Sequence, residues 1–340
     1  MKAPAPHGGK WRRPSEDSDA MASKVLILAR DAEAFAEQLR RRFPDITFVA
    51  AVAAEEALKT CGDCDVLMTR NDDCLEAVIR AMPRLKFIQA LTTGTELIET
   101  RPGLAPDVLI TAARGFHGPQ MSELAFLFML SFARKLPAII EDQKQRRWNR
   151  VPQSLLAGKT MVVLGVGRIA EELARRARAF GMRVVGVSGS RTIAARFDAI
   201  YPRDRLHEVV AQADFLIVLV PATPENHHLV DAAMLGAMKP TAVLINIARG
   251  EVVDEAALIA ALTRRRIAGA GLDVFATEPL PPESPLWGMD NVLITSHIGG
   301  MSDNYVEQVM PIVIENLRAY LAGTPARMRY IIRMSEGLRS

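Results

Sequence analysis

The segment 161–170, MVVLGVGRIA, constrains this chain more than any other. Its first four residues are apolar and mostly branched, as in a parallel strand buried on both faces. Gly165-Val166-Gly167-Arg168-Ile169-Ala170 follows without a break and opens a helical pattern over 169–180. The spacing matches G-x-G-x-x-G/A. The first glycine permits a tight turn, the second lets backbone approach a pyrophosphate, and the small third residue packs helix on strand. The helix start adds unpaired N–H groups and the positive end of its dipole, which suit phosphate oxygens. The segment predicts a dinucleotide-binding α/β domain with Gly165, Gly167, Arg168 and Ile169 at the ligand.

The rest of the chain fits that prediction. From residue 160 the pattern alternates, with strands expected at 161–164, 183–187, 214–220, 242–247, 269–274 and 291–295. Six strands in one series are what a doubly wound dinucleotide domain requires. An earlier series has short apolar runs at 24–28, 46–50, 65–69, 86–91 and 107–111, separated by helical stretches, and reads as a second open parallel sheet. Between the two lies 122–134, apolar nearly all round, which predicts a helix buried in a domain core or at a subunit interface. Residues 141–150 follow as a polar linking helix or surface segment, and 302–321 as a final helix.

Composition removes several alternatives. Hydrophobic residues make up 49% and charged residues 24%, so the chain is neither disordered nor fibrous. The longest near-apolar stretch falls well short of the ~20 residues that a membrane helix needs. With 42 basic and 39 acidic residues and no long basic run, nucleic acid is not the expected partner. Residues 1–22 read as a disordered tail without the apolar core of a secretory signal; a native extension and an appended leader are equally good readings. Three cysteines make no disulfide framework. The pair Cys61 and Cys64 lacks a second CxxC or nearby histidines, so no metal site is expected, and a surface turn with two reduced thiols in a cytoplasmic protein is.

Three strand ends are dense in polar groups: Asn246-Ile247-Ala248-Arg249-Gly250, Asp273 through Pro279, and Thr295 through Gly300. Ligands of an open parallel sheet bind at the carboxyl ends of its strands, so an Arg, a Glu and a His should converge near the dinucleotide. His227 and His228 read as exposed turn residues, and His117 as a loop cap.

With these segments the chain resembles the D-isomer-specific 2-hydroxyacid dehydrogenase family, over about residues 24–325. The resemblance rests on the glycine fingerprint, Leu219-Val220-Pro221-Ala222-Thr223, Met238-Lys239-Pro240, and the run from Leu244 to Glu255. It continues through Leu272-Asp273-Val274-Phe275, Glu278-Pro279-Leu280-Pro281, Ser284-Pro285-Leu286-Trp287 and His297-Ile298-Gly299-Gly300. It implies a Rossmann domain at 122–302 inserted into a flavodoxin-like substrate domain made of 23–121 and a returning C-terminal helix at 303–336. It also implies hydride transfer between NAD(P)H and a small 2-oxoacid or D-2-hydroxyacid in a cleft between the domains, glyoxylate and hydroxypyruvate being the first candidates. The catalytic Arg, Glu and His of the family fall on Arg249, Glu278 and His297. Its nicotinamide-amide ligand falls on Asp273, and Val220, Pro221, Ile247, Ala248 and Gly299 join the cofactor site. Its substrate-carboxylate loop matches Thr93-Gly94-Thr95, with Arg249 on the same carboxylate. A homodimer is implied through the apolar helix.

Departures from the family pattern are Ala170 for the third glycine, Glu96 for a more frequent Asp, Ser296 for a proline before the histidine, and Ser188 for the acidic ribose ligand. The last removes the charge that repels a 2′-phosphate. Ser188 and Ser190 can donate to phosphate oxygens and Arg191 can pair with them, so NADP(H) is expected over NAD(H), which remains possible. The alternative function is a dinucleotide-sensing, corepressor-like binding protein of the same fold. Formate oxidation is disfavoured because Glu278 stands where such enzymes pair the histidine with Gln.

Overall fold

The computed structural model describes residues 23–70 and 75–334. The expected tail at 1–22 and the last two residues of the C-terminal segment lie outside the described residues. The described chain divides into two compact units, one of residues up to 116 together with those from 303, the other spanning 117–302. The second unit thus interrupts the first in sequence.

The first unit holds β1 (Lys24–Leu28), β2 (Thr47–Ala51), β3 (Val66–Thr69), β4 (Phe87–Ala90) and β5 (Leu109–Thr111). They form a parallel sheet in the order β5-β4-β3-β1-β2, the flavodoxin-like order. Side chains alternate along each strand and so feed two cores. Val25 and Ile27 pack with Phe35, Leu39, Val309 and Val313, whereas Leu26 and Leu28 pack with Leu75, Val78 and Ile79.

The second unit holds β6 (Thr160–Leu164), β7 (Arg183–Val187), β8 (Ala199–Tyr201), β9 (Phe215–Val218), β10 (Val243–Asn246), β11 (Gly269–Leu272) and β12 (Val292–Ile294). The order β12-β11-β10-β9-β6-β7-β8 is Rossmann-like and reverses direction at the β6/β9 pair. Val162 and Leu164 face a core with Val209, Met234 and Leu258. Met161 and Val163 face Leu124, Phe128 and Leu173 on the other side. The helices Gly118–Ala133 and Arg168–Ala179 therefore cover one face together.

Several expectations need correction. Strand β8 was not foreseen: it is three half-buried residues at the sheet edge, aligned by Asp198, whose carboxylate accepts from the Val184 N–H at 2.7 Å. The C-terminal part adds β13 (Ile331–Arg333), antiparallel to β5, beyond the expected helix, which spans Tyr305–Leu321. The apolar helix starts at Gly118 rather than 122, because Pro119 lies in its first turn, where a missing N–H costs nothing. Cys61 and Cys64 do form a turn, the Cys64 N–H donating to the Cys61 carbonyl at 3.0 Å, but both thiols are buried. Cysteine behaves as a small apolar side chain, and here the turn shows water Gly62 and Asp63 instead. Burial pushes the Cys64 thiol up to about 11.

Candidate active site

At the end of β6 the chain turns at Gly165, whose φ is +95°. A Cβ there would stand 2.8 Å from the Leu219 carbonyl oxygen at the end of β9, so only glycine lets these two strand ends lie together. Gly167 is the cap of the helix Arg168–Ala179, and a Cβ on it would enter open space. The first amides of that helix thus line an open cradle of the kind a pyrophosphate fills. The residues present fit a dinucleotide. Gly167 and Arg168 are exposed and Ile169 half-buried, while Val220 and Pro221 end the neighbouring β9 segment.

At the end of β7, Ser188 is half-buried and Gly189, Ser190 and Arg191 are exposed. The Ser188 hydroxyl oxygen accepts from the backbone N–H of Ser190 at 3.3 Å and of Arg191 at 3.0 Å, which curls the loop around it. The Arg191 guanidinium pairs with Glu171 in the first turn of the helix Arg168–Ala179. That partner was not anticipated.

Three strand ends on the other side of the switch point place Arg249, Glu278 and His297. After β10, the Asn246 carboxamide accepts from the Ala248 N–H at 3.1 Å and donates to the Arg249 carbonyl at 2.9 Å, which shapes the turn carrying Arg249. Ile247 is buried, and Ala248 and Arg249 half-buried. Gly250 follows, and a Cβ there would fall 1.9 Å from the Phe275 carbonyl carbon, so this turn and the one after β11 touch backbone to backbone.

Glu278 is held at both oxygens. Oε1 accepts from the Phe275 N–H at 3.0 Å, and Oε2 lies 2.6 Å from His297 Nδ1. The Glu278 contact raises the His297 pKa, against desolvation and the nearby positive charge of Arg249. Burial works to raise the Glu278 carboxyl, but the bonds from His297 and Phe275 hold it below the ordinary glutamate value. With Nδ1 committed to Glu278, Nε2 is the nitrogen left to exchange a proton with a ligand.

His297 has a φ of +54°, uncommon for a side chain with a Cβ. Asp273 maintains it. The Asp273 carbonyl accepts from the His297 N–H at 2.8 Å. Its carboxylate accepts from Ile298 N–H and Gly299 N–H at 2.9 Å each and from the Thr295 hydroxyl at 2.5 Å. Asp273, expected as a cofactor ligand, is thus 1% exposed and spends its carboxylate on the loop that presents His297. Sequence reasoning missed the supporting roles of Asn246, Thr295 and the Phe275 N–H. Their positions at strand ends were visible, but their partners were not.

Thr93, Gly94 and Thr95 belong to the first unit, in the loop after β4. Thr93 donates its hydroxyl to the Ala113 carbonyl at 3.1 Å, and Thr95, buried, donates to Glu99 at 2.5 Å. His227 and His228 are exposed and stacked with centroids 3.9 Å apart. His117 precedes the helix Gly118–Ala133, and its ring lies beside Gly300, where a Cβ would meet it at 3.2 Å.

The family described as "D-isomer specific 2-hydroxyacid dehydrogenase, NAD binding domain" matches residues 126–299. Over 315 residues the chain is 33% identical to a glyoxylate reductase from Thermococcus onnurineus, covering 89% of this chain and 94% of that one. A D-isomer-specific 2-hydroxyacid dehydrogenase family protein from Aeromonas salmonicida superposes with a TM-score of 0.85 at 33% identity, covering 93% of this chain and 100% of the other. An NADPH-dependent glyoxylate/hydroxypyruvate reductase from Sinorhizobium meliloti, solved with NADP and sulfate, gives a TM-score of 0.78 at 26% identity, covering 91% and 98%. The fingerprint at a Rossmann switch point, the paired His and Glu, and these likenesses agree: the chain belongs to the D-isomer-specific 2-hydroxyacid dehydrogenases and is an NAD(P)-dependent oxidoreductase.

Proposed function

We propose that the protein reduces a small 2-oxoacid, glyoxylate or hydroxypyruvate first among the candidates, and uses NADPH in preference to NADH. The observation that carries the catalytic roles is the His297 Nδ1–Glu278 Oε2 contact of 2.6 Å, with Glu278 itself anchored by the Phe275 N–H. A bound nicotinamide dinucleotide supplies the hydride. The chain's own residues do the rest. Arg249 binds the substrate carboxylate and polarises the adjacent carbonyl, a task suited to a planar, permanently charged fork. His297, protonated, gives its Nε2 proton to the carbonyl oxygen, and Glu278 keeps the imidazole charged and aimed. By the family resemblance, backbone N–H groups of Thr93, Gly94 and Thr95 also serve the carboxylate. Asp273 joins the cofactor site chiefly by shaping the His297–Gly299 loop.

The cofactor preference rests on the loop after β7, where Ser188 and not an acidic residue follows Val187. The Ser188 hydroxyl keeps its proton to donate. The Arg191–Glu171 pair is solvent-exposed and worth only ~0.2–1 kcal/mol, so Arg191 gives it up readily for a dianion. The S. meliloti relative, named NADPH-dependent, agrees. A homodimer is part of the proposal: Leu127, Leu136 and Ile140 leave apolar surface in water along two successive helices. Cytoplasmic placement suits two free, buried thiols, and no described helix is long and apolar enough to cross a membrane.

The test is a panel of 2-oxoacids assayed with NADPH and NADH, for wild type and His297→Ala. Turnover with at least one acid, and a loss of roughly 10²–10⁴-fold in the variant, is expected. No turnover across the panel would favour the dinucleotide-sensing reading instead.

A further inference from the structure

We propose that Arg203 is a second cationic contact for the 2′-phosphate of NADPH and so determines cofactor choice together with Arg191; the inference rests on the NADPH reading above. Arg203 follows β8, the edge strand hidden from the sequence pattern. Because β7 and β8 run parallel in register, with Val187 opposite Tyr201, the chain leaves both strands at the same end of the sheet. The Ser188 N–H donates to the Tyr201 carbonyl at 3.0 Å, which ties the two exits together. The Arg203 side chain then runs beside the Ser188–Arg191 loop: its Cδ would be 3.5 Å from a Cβ on Gly189.

What distinguishes Arg203 is that the protein holds it. Its Nη2 donates to the Asn226 carboxamide oxygen at 2.6 Å and to the Glu225 carbonyl at 3.0 Å. Asn226 is buried, and its amide donates to the Pro221 carbonyl at 2.8 Å. Arg203 thus bridges the loop after β7 and the segment after β9, two strand ends that flank the fingerprint strand β6. Among the described residues, its Nε and Nη1 have no hydrogen-bond partner and remain available to phosphate oxygens. Arg191 is placed differently, with its guanidinium on Glu171. A guanidinium already ordered by the protein loses less side-chain freedom on binding than one that must first leave a partner. The neighbouring negative charges are Glu171, Asp204 and Glu225. Arg191 belongs to the loop itself and Arg203 runs beside Gly189, so two guanidinium groups are at hand for a phosphate dianion. Arg205 is occupied by Glu208.

The experiment measures binding, not turnover. Adenosine 2′,5′-bisphosphate and 5′-AMP are titrated calorimetrically into wild type, Arg191→Ala, Arg203→Ala and Arg203→Lys, with circular dichroism to confirm folding. Arg203→Ala should weaken the bisphosphate about tenfold and change AMP less than about twofold, the loss expected for one charge-assisted contact in partly solvated surroundings. Arg203→Lys, which keeps the charge without the fork, should fall between. Equal weakening of both nucleotides by Arg203→Ala would mean that Arg203 only supports the pocket wall through Asn226, and would overturn the proposal. If wild type prefers the bisphosphate and Arg191→Ala alone abolishes that preference, Arg203 has no part in it. If wild type itself does not distinguish the two nucleotides, the NADPH reading fails and the proposal falls with it.

Discussion

Replacing Glu278 with glutamine probes the centre of the proposed mechanism without changing its shape. The carboxylate accepts on both sides, from the Phe275 N–H at 3.0 Å and from His297 Nδ1 at 2.6 Å. Glutamine offers one acceptor and one donor. If its carbonyl keeps the Phe275 N–H, its amide group faces Nδ1 and requires that nitrogen to accept, which imidazolium cannot do. If the amide turns over, the Phe275 N–H meets a donor. Either way one hydrogen bond to a charged group is lost, worth ~1.5–3 kcal/mol. Nearly half of the His297 side chain, 48%, is exposed, so the lower end applies, about 1.5 kcal/mol, or roughly tenfold in kcat/KM for reduction. The pH dependence has a definite sign. Glu278 raises the His297 pKa, and in the proposed mechanism the protonated imidazole is the donor, so reduction should decline as pH rises through that value. Glu278→Gln should move the decline to lower pH, and the rise of the reverse oxidation should move the same way. The pair's contribution to stability follows equally: it is complete below the unfolded imidazole value, about 6.5, and fades as pH rises through the raised folded value. At the acid end it is lost as pH falls through the lowered Glu278 value. The assay is kcat/KM against pH at saturating cofactor in both directions. An unchanged rate with an unmoved alkaline limb would refute the assignment of Glu278 to the imidazole.

Other perturbations separate binding from folding. Arg249→Lys should raise KM for the oxoacid about tenfold or more in steady-state assays, because an ammonium cannot reproduce the two-pronged contact with a carboxylate. Gly250→Ala forces a Cβ to within 1.9 Å of the Phe275 backbone and should cost about 3 kcal/mol, seen as a lower midpoint in urea unfolding. Cys61 and Cys64 should resist alkylation in the native protein at pH 8 and react once it is unfolded, as read by peptide mass mapping, since both are buried and the Cys64 thiol is pushed up to about 11.

Much of this protein was legible because the relevant physics is local. The fingerprint after β6 needs only a buried strand, two glycines and a helix start within ten residues, and each announces itself by residue type. The runs that became β1 to β7 and β9 to β12 show their apolar content directly, and Arg249, Glu278 and His297 follow the last three of them. Where two residues far apart in sequence decide the outcome, residue type was silent. Three half-buried residues at 199–201 become a strand only because β7 lies beside them. Ile331–Arg333 becomes one because β5 offers an edge. The thiols at 61 and 64 sink because core packing claims them while the turn keeps Gly62 and Asp63 in water. Arg191 finds Glu171 twenty positions back, and Asp273 gives its carboxylate to a loop that starts at Thr295. A hydrogen-bond donor specifies the kind of partner it requires, but only the folded chain determines which acceptor comes within 3 Å of it.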